Sequence, residues 1–323
     1  AVMPAPKRFF LATRPYSYTA SLVPAVLGSV VALDLHGGAA GFAFDWLHFA
    51  LAVVGCVLIQ IVANVINDVV DYDTGLDNAE NFGAMNVLVQ GLTTRKEMLV
   101  LTAVTFAAAL AIGAYFIAVC GEVVAWLVGI GALTAVFYTA PPLKLKYRGW
   151  GDVLVIGCFG ILMTLGAYYT QAYTLYGPGA PFSESLFSPA LWTIVLIAVP
   201  ISLLVDAILQ ANNHRDREQD LAYGARTVAV RMSEGASLRF QYVLVFGAYA
   251  VLALIVALGF VTPLALLAYL TLPLALKNLK LIRSKGTVPM EQYGMLPMVF
   301  AQLHLAFGAL MVVGLLLGYV LGI

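Results

Sequence analysis

Two clusters of asparagine and aspartate are the residues of this chain whose types and spacing best suit chemistry. The first runs from Asn64 to Asp77 and places four polar side chains at i, i+3, i+4 and i+7, namely Asn64, Asn67, Asp68 and Asp71. The second cluster has the same residue types at four-residue spacing, namely Asn212, Asp216 and Asp220. Residues so spaced share one face of a helix, so each cluster would present its carboxamides and carboxylates together.

The first cluster concentrates negative charge, because four carboxylates follow one another in Asp68, Asp71, Asp73 and Asp77. Like charges at this density repel one another unless a cation intervenes. Oxygen ligands without a His or Cys cluster suit Mg²⁺, which bridges a few carboxylates to phosphate oxygens. One such cluster could also be a solvated acidic loop, but a second cluster with the same core favours a magnesium site.

Basic residues accompany both clusters, and those closest to the motifs are Arg14, Arg95, Lys96, Lys144, Lys146, Arg148, Arg215, Arg217 and Arg226. A metal-bound diphosphate requires this combination, because the metal neutralises some phosphate oxygens and Lys or Arg holds the others. We favour this role for Lys146 and Arg226. Six other basic residues are instead interpreted as determinants of membrane topology, namely Lys7, Arg8, Lys277, Lys280, Arg283 and Lys285.

The elements that must position these residues are membrane helices. The chain has 323 residues, of which 62% are hydrophobic and 11% charged, and its mean hydropathy is +0.92, which is too apolar for a soluble domain. Apolar runs of roughly 20 residues predict nine transmembrane helices, near 17–35, 46–67, 98–120, 122–140, 152–173, 189–211, 238–259, 261–282 and 295–322. The first run lacks a small-residue cleavage site and is predicted to be a membrane helix, not a signal peptide. We therefore expect an all-α polytopic bundle.

The distribution of charge predicts how this bundle is oriented. All 17 Lys and Arg fall in five places: the N-terminus, 68–97, 141–151, 212–239 and 277–294. The opposite loops hold none, although they contain Asp34, Asp45, Glu122 and Glu184. The positive-inside rule then predicts a cytoplasmic N-terminus and a polar cavity on the cytoplasmic side. The chain is expected to be one transmembrane domain, 1–323, and the clusters at 64–77 and 212–220 suggest an internal duplication.

Several motifs around the clusters carry a resemblance to a known family. They are Asn67-Asp68-x2-Asp71-x3-Gly75-x-Asp77, Asn212-Asn213-x-Arg215-Asp216-x3-Asp220-x3-Gly224-x-Arg226-Thr227, Arg14-Pro15-x-Ser17, Leu88-Val89-x-Gly91-Leu92-Thr93, and the run from Tyr138 through Lys146 to Asp152. Together they resemble the UbiA superfamily of intramembrane prenyltransferases. More narrowly, they resemble its branch of 1,4-dihydroxy-2-naphthoate polyprenyltransferases. The resemblance covers almost the whole chain.

The resemblance implies an Mg²⁺-dependent enzyme that transfers a polyprenyl group from polyprenyl diphosphate to an aromatic acceptor. The implied acceptor is 1,4-dihydroxy-2-naphthoate, prenylated with loss of CO₂ in menaquinone biosynthesis. By resemblance, the metal ligands are Asn67, Asp71, Asn212, Asp216 and Asp220, and the catalytic residues are Asp71, Asp216 and Lys146. The diphosphate-binding residues are Arg14, Asp68, Asp77, Lys144, Lys146, Arg215 and Arg226. Asp152 and Arg226 stand where the branch usually has Glu and Lys, which leaves the acceptor open.

Other functions remain as alternatives at this point. The acceptor could be 4-hydroxybenzoate or homogentisate. An intramembrane phosphotransferase of the CDP-alcohol type also uses clustered aspartates, but its Asp-Gly-x2-Ala-Arg sequence is absent. A transporter could use the paired clusters as an ion site, although such sites usually lie near the bilayer midplane. The expected setting is a bacterial or archaeal cytoplasmic membrane, with lipid as a partner, and the zero net charge suggests no nucleic-acid partner.

Overall fold

The computed structural model of this chain describes residues 3–82, 86–176 and 189–323, and in these ranges all regular secondary structure is helical. The main helices are α1 (Ala5–Ala12), α2 (Thr19–His36), α3 (Trp46–Asp73), α4 (Arg95–Cys120), α5 (Glu122–Phe137), α6 (Gly151–Tyr176), α7 (Pro189–Arg215), α8 (Arg217–Ala222), α9 (Glu234–Ala257), α10 (Pro263–Ile282) and α11 (Leu296–Leu321). Short helical turns lie at Pro15–Ser17, Lys146–Arg148, Val228–Arg231 and Met290–Gly294.

The predicted all-α membrane bundle is confirmed, but among the described residues the number of helices that can span a membrane is smaller than the nine predicted. Within the described ranges, eight helices are long and apolar enough to cross a membrane. The predicted segment 122–140 corresponds to α5, which is apolar but has only 16 residues. Two helices run further than predicted, since α3 reaches Asp73 and α7 reaches Arg215. These extensions carry the polar clusters on helical backbone beyond the apolar part of each helix.

The ends of α3 and α4 are set by local capping. Asp45 accepts hydrogen bonds from the backbone amides of Leu47 and His48 at the start of α3. Thr94 and Glu97 form a capping box at the start of α4, each side chain bonded to the backbone amide of the other. Such caps satisfy amides that a helix cannot pair internally. They fix α3 at one end of the bundle and the return into α4 at the other.

Close helix packing in the centre of the bundle depends on small residues. Helices α2, α6, α7 and α11 form the central group, with α3, α4 and α5 on one side and α9 and α10 on the other. A β-carbon added at Gly28 would lie 2.1 Å from the backbone oxygen of Thr164, and one added at Gly314 would lie 2.2 Å from that of Leu264. Glycine at these positions lets the backbones approach each other, as is common between membrane helices.

Gly160→Ala should therefore destabilise the protein. Its new β-carbon would lie 2.0 Å from the Ser202 hydroxyl oxygen and 2.6 Å from the Ser202 Cα, so α6 and α7 would have to move apart. Overpacking of this kind costs about 1–3 kcal/mol. Gly157→Ala is the matched control, because nothing lies within 4 Å of its β-carbon. Thermal unfolding in one detergent should show a lower midpoint for Gly160→Ala only, and equal midpoints would contradict the close contact.

Candidate active site

A polar cavity of about 310 Å³ lies where the carboxyl ends of α3 and α7 meet. Ten of the twelve predicted site residues line it, namely Arg14, Asn67, Asp68, Asp71, Asp77, Lys146, Asn212, Arg215, Asp216 and Asp220. The other two do not line it. Lys144 is half-buried with its ammonium 5.8 Å from the Tyr147 ring centre, and the Arg226 side chain is exposed. The structure thus brings both asparagine and aspartate clusters into one cavity.

Asp71 is the best-connected acid of the first cluster. The Lys146 ammonium donates to the Asp71 carboxylate at 2.7 Å and to the Asn67 carboxamide oxygen at 2.9 Å. The Asn67 amide and the Tyr147 hydroxyl also donate to Asp71, at 2.8 and 2.5 Å. Burial lowers the pKa of Lys146, but the Asp71 carboxylate together with Tyr147, Asp220 and Tyr138 outweighs burial, so the net pKa lies above its ordinary value. The Lys146 ammonium therefore stays protonated inside the cavity.

A second set of contacts holds Arg14, Asp68 and Asp77. Arg14 lies in the left-handed backbone region, with φ of 53°, just before the turn that leads into α2. Its guanidinium pairs with the buried Asp68 carboxylate. Asp77 accepts a 2.9 Å hydrogen bond from the Asn86 amide, which also donates to the backbone oxygen of Asp68. Burial raises the pKa of Asp77, and the nearby Asp71 carboxylate raises it further.

The second cluster crosses a break between two helices. α7 ends at Arg215 and α8 begins at Arg217, yet the amide of Asp216 still bonds to the oxygen of Asn212, and that of Asp220 to Asp216. These bonds, at 2.9 and 2.8 Å, keep the three side chains on the same side of the chain. The Arg215 guanidinium donates to both Asp216 carboxylate oxygens, at 2.6 and 2.7 Å. Burial raises the pKa of Asp220 to about 7, although Lys146 lowers it in part.

The donor set of the polar cavity fits magnesium. Five carboxylates and three bases line it, so the acids outnumber the bases by two. In the described part of the chain, no three Asp, Glu, His or Cys side chains form a ready-made metal cage. Mg²⁺ does not need one, because it keeps several waters and is held by one or two carboxylates together with substrate phosphates. The cavity therefore suits Mg²⁺ bound jointly with a phosphate-bearing ligand.

Some residues of the site were missed from the sequence. The Tyr147 hydroxyl donates to Asp71, and the Asn86 amide donates to Asp77. Tyr147 lies within the motif that runs from Tyr138 to Asp152, and Asn86 lies two residues before the motif that begins at Leu88. Outside the cavity lining, Asp206 is fully buried within α7, and neither of its carboxylate oxygens is hydrogen bonded in the described ranges. A lone carboxylate inside an apolar run is itself a signal of function in a membrane helix. That signal was available in the sequence.

Two further pockets continue from the polar cavity into the apolar part of the bundle. A connecting pocket of about 150 Å³ shares Arg14, Asn67, Lys146 and Asn212 with the polar cavity. An apolar cavity of about 140 Å³ lies between α3, α4, α5 and α6 and shares Ala63, Tyr138, Val155 and Phe159 with the connecting pocket. The polar cavity therefore adjoins an apolar space through the connecting pocket, with shared residues in the walls between them.

Comparison with known proteins agrees with this architecture. The model of the UbiA prenyltransferase family matches residues 21–291. A 1,4-dihydroxy-2-naphthoate octaprenyltransferase of Bacillus subtilis is 28% identical over 310 residues, covering 95% of this chain and 91% of the relative. An enzyme of the same name from Escherichia coli is 31% identical over 251 residues, covering 75% and 77%.

A solved structure has the same fold. It is a UbiA homolog from Archaeoglobus fulgidus bound to DMAPP and Mg²⁺, with a TM-score of 0.58 and 18% identity over 95% of this chain and 99% of that one. The family match spans most of the chain, including the helices that carry both polar clusters. We conclude that this chain belongs to the UbiA prenyltransferase family and is a prenyltransferase built as a multi-span bundle of membrane helices.

Proposed function

We propose that the chain transfers a polyprenyl group from polyprenyl diphosphate to 1,4-dihydroxy-2-naphthoate, in a Mg²⁺-dependent reaction. The observation that carries this proposal is the polar cavity, where two carboxylate-rich helix ends face each other and open towards an apolar space. A diphosphate with a long hydrocarbon chain needs both environments. The naphthoate acceptor is supported by the names of the relatives from B. subtilis and E. coli.

Lys146, Arg14 and Arg215 are placed to hold the diphosphate. Each lines the polar cavity, and each is paired with a carboxylate of the two clusters. We assign the metal to Asn67, Asp71, Asn212, Asp216 and Asp220, which all line this cavity and carry side-chain oxygens. When bound, Mg²⁺ supplies positive charge to the departing diphosphate. Fixed cations at the same oxygens stabilise the charge that develops as the bond to the prenyl carbon breaks.

The connecting pocket is the place where the allylic cation would form. Its lining includes the aromatic rings of Tyr138 and Phe159, and an aromatic face attracts a cation through its quadrupole. The electron-rich ring of the acceptor then forms the new carbon–carbon bond. With a naphthoate acceptor, the bond from that ring carbon to the carboxylate breaks and CO₂ leaves, so rearomatisation needs no separate strong base.

The test is an assay of purified protein with Mg²⁺, a polyprenyl diphosphate and a panel of acceptors that includes 4-hydroxybenzoate and homogentisate. We expect mass spectrometry to find a prenylated naphthalenediol that has lost the carboxylate, and no product in EDTA. Prenylation of 4-hydroxybenzoate or homogentisate alone would replace the acceptor. Absence of product with every acceptor would overturn the proposal.

We also propose that the chain is a single transmembrane domain whose polar cavity faces the cytoplasm, as the one-sided Lys and Arg distribution indicates. Arg226 is exposed at the cavity end, and Ala40 is exposed between α2 and α3 at the opposite end. The opposite loop that contains Glu184 lies outside the described residues. In a variant without native cysteines, an impermeant reagent on intact cells should label Ala40→Cys and spare Arg226→Cys. The reverse labelling would invert the topology.

A further inference from the structure

Two carboxamides of α3, those of Gln60 and Asn64, line the connecting pocket. Gln60 is only 2% exposed, and Asn64 is half-buried about one helical turn further along the helix. Both stand close to the polar cavity, because Asn67 of the same helix lines both spaces. Helices α6 and α7 contribute mainly apolar residues to the pocket, namely Val155, Phe159, Val205, Ile208 and Leu209. The connecting pocket therefore has a polar edge and apolar walls.

Both amide nitrogens are turned towards Ser17, the last residue of the short turn before α2. The Gln60 amide donates to the Ser17 backbone oxygen at 2.6 Å and to the Ser17 hydroxyl oxygen at 3.0 Å. The Asn64 amide donates to the same hydroxyl oxygen at 3.0 Å. A backbone carbonyl oxygen can only accept a hydrogen bond, so the nitrogen of Gln60 must be the atom that faces it. The orientation of this carboxamide is thereby fixed.

The two carboxamide oxygens are left without a donor. Ser17 cannot supply one, because its hydroxyl already donates to the backbone oxygen of Arg14 at 2.8 Å. Within the described ranges, the buried oxygen of Gln60 has no hydrogen-bond partner, and Asn64 takes part in hydrogen bonds only through its nitrogen. A buried acceptor that is left unpaired costs free energy. A ligand that donates hydrogen bonds from within the pocket would remove this cost.

We propose that Gln60 and Asn64 recognise the hydroxyl groups of the aromatic acceptor, and that Ser17 holds both carboxamides in the orientation this requires. The inference rests on the proposed prenyl transfer and names residues that select its acceptor. A dihydroxynaphthoate has O–H donors at its edge and a flat apolar ring, which match the polar edge and the apolar walls of the connecting pocket. A site that bonds a substrate hydroxyl discriminates against an analogue without it, because the polar groups of the site are then left unpaired.

The experiment compares kcat/KM for 1,4-dihydroxy-2-naphthoate with kcat/KM for each of its two mono-methyl ethers, at a fixed concentration of one polyprenyl diphosphate. An ether keeps the ring electron-rich but has lost one O–H donor. Gln60→Met and Asn64→Leu retain the approximate side-chain size and remove the carboxamide oxygen. Each should lower the preference for the free hydroxyl over at least one ether by about tenfold relative to the wild type. The KM for the polyprenyl diphosphate should not change. The different reactivities of the acceptors cancel when a variant is compared with the wild type.

Gln241→Met and Asn278→Leu are the matched controls for general damage. Gln241 is a buried glutamine whose oxygen is also unpartnered among the described residues, and Asn278 is a buried asparagine that donates to a backbone oxygen. Neither residue lines the connecting pocket, so both variants should keep the wild-type preference. If Gln60→Met and Asn64→Leu also keep it while transferring prenyl groups, the two carboxamides do not recognise the acceptor and this inference is wrong.

The wild type alone decides the question if these variants do not fold. Equal kcat/KM for the free acceptor and both ethers would refute recognition of the hydroxyl groups, and a preference for the free acceptor would support it. If the wild type prenylates only 4-hydroxybenzoate or homogentisate, the naphthoate proposal fails. This inference then stands only if Gln60→Met and Asn64→Leu lower the preference for that acceptor over its methyl ether. Absence of transfer to every acceptor would overturn the proposed function and this inference together.

Discussion

Replacing Asp71 with Asn is expected to lower turnover by at least about 10³-fold, the largest effect of any single substitution in this chain. The Asp71 carboxylate is the acceptor for Lys146, Tyr147 and Asn67. The carboxamide has nearly the same shape, but it lacks the charge that would attract a divalent cation, and its amide group cannot accept from Lys146. Asp216→Asn, in the second cluster, should lower turnover in the same way. In the wild type, both Asp216 carboxylate oxygens accept hydrogen bonds from Arg215.

Matched controls for these two variants lie within two residues. Asp73→Asn removes an acid of the same helix that is exposed and pairs with Arg95. Glu218→Gln removes an exposed acid that pairs with Lys285. Both should retain activity. A second measurement separates metal binding from chemistry, because a ligand that binds only the folded state raises the unfolding temperature. Mg²⁺ should raise it for the wild type and the controls, but much less for Asp71→Asn. Full activity of Asp71→Asn, or of the wild type in EDTA, would refute the metal assignment.

Lys146→Ala is expected to lower kcat/KM on the order of 10²-fold, because a preorganised cation at the diphosphate acts on charge that develops in the transition state. Lys146 lies in the polar cavity with its ammonium shared between Asp71 and Asn67. Its side chain is only 11% exposed. A compact ammonium in this position can contact a phosphate oxygen as a point charge. The effect should fall mainly on kcat if the contact strengthens as the diphosphate departs.

Two other lysines serve as controls. Lys144→Ala changes the same loop, two residues away and outside the cavity wall. Lys280→Ala changes an exposed lysine near the end of α10. Each should change kcat/KM by less than about threefold, because neither lysine lines the cavity in which the diphosphate would bind. If all three variants lose activity equally and slightly, Lys146 is a topology determinant, and Arg14 and Arg215 must hold the diphosphate.

The amino-acid sequence was sufficient to predict the membrane helices and the two clusters. A helix that crosses the bilayer must be long, apolar and internally hydrogen bonded. A continuous segment of the sequence is therefore enough to predict it. The helical spacing of Asn67 and Asp71 is equally local, and it placed both residues in the polar cavity. The family motifs singled out ten residues that the structure brings together.

Only the tertiary structure decided which residues face each other. Asp68 pairs with Arg14, which is 54 positions away in the chain. Arg14 has a left-handed backbone conformation, which no sequence pattern predicted. Lys146 enters the cavity while Lys144 stays outside it, although both are lysines of one loop. Phe116 likewise packs against His48, which belongs to another helix. Such contacts join distant segments, and their geometry follows from how helices pack and loops turn, which local spacing does not encode.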